Sequence, residues 1–141
     1  MSRQRPLPNR APRRGEIWWV SFIPVERSAG HEQAGTRPAL IISIDAFNAG
    51  PQQLVMVAPL TRTRTTRPLP FHVWYDSDET GLYGPGTQPR LQDGGTILCD
   101  KIQTVSLLRF TGVGPAGRLS DQRIDEVDDR LRIILGLPYT A

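Results

Sequence analysis

Glycine and proline interrupt this chain so often that only its C-terminal stretch reads as a good helix. There are 13 of each in 141 residues. Between them lie short apolar runs bounded by turn-forming residues, which favours β-structure over a helix bundle. Gly15–Phe22, "GEIWWVSF", is rich in aromatic and β-branched residues and reads as the first strand. Ala39–Ile44, Leu54–Pro59, Phe71–Tyr75, Thr96–Cys99 and Leu108–Val113 follow as further strands, and "DKIQTV" reads as a turn or a single helical turn. Residues 76–95 carry glycine at 81, 84, 86, 94 and 95 and hold no single regular element. At the C-terminus Ser120 suits a helix N-cap and Asp121 the positive end of the helix dipole. Ile124, Val127, Leu131, Ile134 and Leu135 share one stripe, and Gly136 with Pro138 ends it. The expectation is a mainly β fold, a small, strongly bent β-barrel closed by one amphipathic helix.

The length suits one core and not two. No apolar stretch approaches a membrane span, and no signal-peptide block opens the chain, so no membrane is expected. With Cys99 as the single cysteine there is no intrachain disulfide, and a reducing cytoplasm is the expected compartment. Cys99 itself reads as a small buried apolar residue and not a nucleophile. The formal charge is +3, yet residues 1–14 hold five arginines and no acid, so the remainder sums to −2. Residues 1–14 therefore read as a disordered Arg/Pro-rich tail and 15–141 as one domain. Within that domain no acid occurs from Ala46 to Tyr75, while Arg62, Arg64 and Arg67 cluster, a pattern that suits a phosphate-facing surface as well as a solvated one.

One junction points to chemistry. The polar loop from Pro24 to Thr36 holds two glycines, a histidine and two glutamates, and Arg37-Pro38 then runs straight into Ala-Leu-Ile-Ile. An arginine at that point is held by a rigid backbone while its head faces the loop. Its planar, permanently charged fork matches phosphate oxygens, although a salt bridge to Glu16, Glu32 or another acid would occupy it equally well. Thr61 ends the "APLT" run, where a hydroxyl either bonds nearby backbone or serves a site. Two histidines could together run acid–base RNA cleavage, but nothing in the sequence brings His31 to His72. Trp18, Trp19 and Trp74 suit base stacking, core or a dimer surface.

The ordered blocks "RRGEIWWVSFIPVERSAGHEQAGTRPALIIS", "VAPLTRT", "ILCDKIQTV" and "GRLSDQRIDEVDDRLRIILGL" resemble the MazF/PemK family of toxin endoribonucleases, from about Gly15 to Leu137. The resemblance implies an SH3-like barrel of the MazF/PemK/CcdB kind and a homodimer. It implies a nuclease that needs no metal or other cofactor, cuts single-stranded RNA at short sequences, and is neutralised by a small antitoxin. For such a partner an acidic, partly disordered segment is expected. By the same resemblance Arg37 of "RPA" is the catalytic arginine, Thr61 the hydroxyl donor beside it, and Glu32 the general base or orienting group. Loop 24–36 becomes a substrate lid, and His31, Gln33, Arg62, Arg64 and Lys101 become RNA contacts. Lys101 departs from the family, which often carries glutamine there, so it would hold a phosphate where relatives read a base. Two other readings stay open on the same barrel: a CcdB-like gyrase poison without nuclease activity, and an RNA-binding barrel without catalysis.

Overall fold

The computed structural model describes residues 7–22, 30, 35–61, 69–76, 94–112 and 114–139. Its strands are β1 (Glu16–Ser21), β2 (Thr36–Ile41), β3 (Leu54–Thr61), β4 (His72–Tyr75), β5 (Gly95–Leu98), β6 (Gln103–Ser106) and β7 (Gly117–Arg118). The helices are a single turn, α1 (Asp45–Asn48), and the long α2 (Asp121–Leu135). All strand pairs are antiparallel and run in the order β4-β5-β3-β2-β1-β7, with β6 added on β3. The expected mainly β fold is thus met as a curled antiparallel sheet with a C-terminal helix. Among the described residues no helix is long and apolar enough to cross a membrane.

The sheet buries both faces, which is why its strands read as continuous apolar runs instead of alternating ones. Ile17, Leu40, Ala58, Leu60, Val73 and Ile97 pack on one face, under Val127 and the half-buried Ile124 and Leu131 of α2. Trp18, Val20, Ala39, Ile41, Val55 and Val57 pack on the other, closed by Val105, Leu107 and Phe110. Trp18 meets Phe110 edge to face at 5.4 Å.

Several boundaries differ from the sequence reading. β2 starts at Thr36, three residues earlier than expected, because the hairpin with β1 continues through Trp19–Pro38, Val20–Arg37 and Ser21–Thr36. Arg37 is therefore a strand residue. "DKIQTV" supplies strand β6, since Gln103–Ser106 finds a partner in Leu54–Val57. The expected strand Leu108–Val113 is a 3-10 turn, Leu107–Arg109, followed by a lone bridge from Phe110 to Val20. α2 matches its signals: Ser120 Oγ accepts from the Arg123 amide at 3.3 Å, and Gly136 takes the left-handed φ of 66° that ends the helix. Its apolar stripe is only partly covered, for Ile134 and Leu135 are 40% and 55% exposed.

Residues 7–14, expected as the end of a loose tail, carry ordered contacts. Arg14 donates its amide to Asp45 at 2.8 Å, its Nε to the Ile42 carbonyl at 3.2 Å, and pairs with Asp128 of α2. Arg10 pairs with Glu16, which is 5% exposed and also accepts from the Arg13 amide at 2.7 Å and from Trp18 Nε1 at 3.3 Å. Burial alone would raise the Glu16 carboxyl, but these donors outweigh it and hold its pKa below the ordinary value. A depressed folded-state pKa contributes stability above the unfolded value, and that stability is lost as pH falls through the folded one. Glu16→Gln should therefore be about 1–3 kcal/mol less stable at neutral pH and should lose less on acidification. Thermal melts at pH 7 and pH 3 check this; parallel losses in both proteins would assign the acid sensitivity to another group.

Candidate active site

β2 and β3 pair with Ala39 opposite Pro59, Leu40 opposite Ala58 and Ile41 opposite Val57. The ladder ends at Ala39–Pro59; extended two residues further, the same register would bring Arg37 opposite Thr61. On the other side of β3, Thr61 stands opposite Thr96 of β5, and Thr96 opposite Trp74 of β4. Residues directly opposed in an antiparallel sheet project to the same face. Thr61, Thr96 and Trp74 thus form one row across three strands, neighbours lying about 4.8 Å apart, and the extended register would add Arg37 at its end. Its exposure is graded: Arg37 is exposed, Thr61 half-buried, Thr96 buried and Trp74 half-buried. An exposed, permanently charged guanidinium would then border a hydroxyl carried on a central strand. That pairing suits a phosphodiester, with the guanidinium on its charged oxygens and the hydroxyl adding a further donor.

Thr61 is also held from behind. The Tyr75 hydroxyl donates to the Thr61 carbonyl at 3.0 Å. The backbone of Gly95 comes so near that a Cβ there would stand 1.8 Å from the same carbonyl oxygen. Sequence reasoning missed both partners. Gly94-Gly95 was legible only as turn chemistry, and the signal that could have separated them is that Gly95 opens an apolar strand, where glycine often marks close backbone approach.

Of the other residues singled out from sequence, His31, Glu32, Gln33, Arg62 and Arg64 lie outside the described residues. Lys101 sits in the turn after β5, its amide donating to the Leu98 carbonyl at 3.1 Å, and no register brings it to the Arg37 row. Glu16, a possible partner for Arg37, is engaged by Arg10 instead. His72 accepts from the Leu69 amide through Nδ1 at 3.3 Å and has Nε2 3.8 Å from Asp100, so it braces the entry to β4. Cys99 is buried, and burial, reinforced by the nearby Asp100 carboxylate, pushes its thiol up to about 12. It stays protonated at neutral pH and is no nucleophile. Trp18 belongs to the core.

Comparison with known proteins adds a second line. Residues 13–135 match the family described as PemK-like, MazF-like toxin of type II toxin-antitoxin system. The chain is 34% identical over 122 residues to endoribonuclease PemK of Escherichia coli, covering 86% of this chain and 80% of that protein. It is 30% identical over 125 residues to endoribonuclease EndoA of Bacillus subtilis (strain 168), covering 89% and 95%. MazF from Deinococcus radiodurans superposes with a TM-score of 0.63 at 27% identity, over 91% of this chain and 99% of that one.

Proposed function

The chain belongs to the PemK-like, MazF-like toxins of type II toxin–antitoxin systems, and from that premise we propose that it is an endoribonuclease whose reacting phosphate lies over Arg37 and Thr61. What supports this reading is the β2–β3 register, which, extended two residues past Ala39–Pro59, would bring the two side chains to one sheet face. The reaction uses the RNA's own 2′-hydroxyl. Its oxygen bonds to the adjacent phosphorus, the bond from phosphorus to the 5′ oxygen breaks, and the products are a 2′,3′-cyclic phosphate and a 5′-hydroxyl. Charge builds on the non-bridging oxygens as phosphorus becomes pentacoordinate. Arg37 binds those oxygens with its fork, and Thr61 donates its hydroxyl to one of them. The 2′ proton passes to Glu32, and the leaving 5′ oxygen takes a proton from a solvent water, which Glu32 then restores by releasing its own. As the toxin of such a system it is held inactive by a cognate antitoxin, for which an acidic segment complements the arginines of the site.

Incubation of the purified chain with a long single-stranded RNA in EDTA, followed by end mapping, tests this reading. Discrete cuts ending in 2′,3′-cyclic phosphate are expected. Intact RNA from a folded protein, or cleavage that EDTA abolishes, would overturn it.

A further inference from the structure

The row of Thr61 and Thr96 ends at Trp74 on β4, the strand at one end of the sheet order. Its neighbours Val73 and Tyr75 fill the core, so Trp74 points to the opposite face. On the extended register three strand spacings separate it from Arg37, about 14 Å, too far to act on the same phosphate and in reach of a base on its flank. Trp74 also lines a cavity of about 340 Å³ along the edge of β4, where His72, Val73 and Trp74 from both faces of that end strand meet α2, a size that accepts a small ligand. Leu69 and Pro70 form one wall, and Arg123, Glu126 and Arg130 of α2 form the other.

The two arginines differ in what they have left to offer. Arg123 is committed, with Nη1 on Glu126 at 2.9 Å and Nη2 3.8 Å from Asp76. Arg130 donates Nε to the His72 carbonyl at 3.4 Å and forms no ion pair among the described residues. Arg130 is half-buried and lines the same cavity as Trp74.

Resting on the endoribonuclease reading, we infer that this cavity is a subsite for one nucleotide flanking the cut, with the base stacked on Trp74 and its phosphate on Arg130. Single-stranded RNA suits such a site because every base has a face to stack and carries a phosphate for an arginine fork to grip.

The test uses the full chain and RNA oligonucleotides carrying the mapped cut site, each with one abasic position. Losing a base–aromatic stack costs roughly 5- to 150-fold, so Trp74→Ala should raise KM by about that factor, more than it lowers kcat. Trp74→Phe should stay near wild type and guards against a folding defect. One flanking abasic position should cost the wild type a similar factor and cost Trp74→Ala almost nothing. Arg130→Gln should weaken binding and reduce the salt slope by about one. Abasic sensitivity that is the same in wild type and Trp74→Ala would overturn the subsite, including the case in which the cavity receives only a protein partner. If the wild type cuts no RNA, the functional reading fails, and binding of 2′-O-methyl RNA decides the subsite separately: weakening by Trp74→Ala and not by Trp74→Phe supports it, and equal affinity overturns it.

Discussion

Arg37→Ala should cut RNA about a thousandfold more slowly than the wild type while retaining most of its affinity for RNA. Removing one preorganised donor from a developing oxyanion typically costs about 10²–10³ in rate, and arginines that neutralise a phosphoryl transition state reach about 10³–10⁵. The effect falls on kcat because charge on the non-bridging oxygens grows only as the 2′ oxygen attacks; in the ground state Arg37 is one phosphate contact among several. Arg37→Lys should recover only part of the loss, since an ammonium keeps the charge without the two-pronged geometry. The substitution is mild for the fold. Arg37 is exposed at the start of β2, and Pro38–Ile41 behind it carry the burial. Single-turnover cleavage and equilibrium binding to the same RNA separate the outcomes. A fall in affinity with an unchanged single-turnover rate would describe a barrel that grips RNA without cutting it, and intact turnover would remove Arg37 from the site.

What could be read from the residues and what could not divides along sequence separation. α2 was legible to its ends because its signals are local: a serine cap, an acid in the first turn, a glycine stop. β1, β3 and β4 were legible for the same reason, as aromatic and β-branched runs between breakers. β6 was not, because "QTVS" becomes a strand only by pairing with Leu54–Val57, far back in the chain. The site follows this rule. Arg37 and Thr61 each stood out beside their motifs, 24 residues apart, but what would make them a pair is the register between β2 and β3, which no local signal encodes. The contacts of residues 7–14 lie beyond what composition can register. Arginine and proline read as a tail, while Arg10 and Arg14 find their acids at Glu16, six residues on, and at Asp128, more than a hundred residues away.

Gly95→Ala should then damage the site from behind, through a residue that carries no side chain at all. A methyl at that Cβ would stand 1.8 Å from the Thr61 carbonyl oxygen and 2.8 Å from its carbon, both backbone atoms, with the Tyr75 hydroxyl at 3.0 Å. A rotamer change cannot relieve backbone overlap of this kind, so β5 and the end of β3 must part. The ladder pairs Leu60–Ile97 and Thr61–Thr96 sit at that point, as does the hydrogen bond from Tyr75 to the Thr61 carbonyl. The expected loss of stability is at least about 1–3 kcal/mol, the usual cost of overpacking. Below the melting point, the surviving folded protein should still cleave at least about tenfold more slowly, because a misplacement of the Thr61 hydroxyl by about 1 Å is costly to catalysis. Tyr75→Phe serves as the mild counterpart: it removes the hydrogen bond to the Thr61 carbonyl, worth about 1 kcal/mol, and adds no atom. Its melting temperature should drop slightly, with cleavage between the wild type and Gly95→Ala. If Gly95→Ala melts and cleaves like the wild type, β5 does not press on Thr61, and the hydroxyl must owe its position to the loop side of the site.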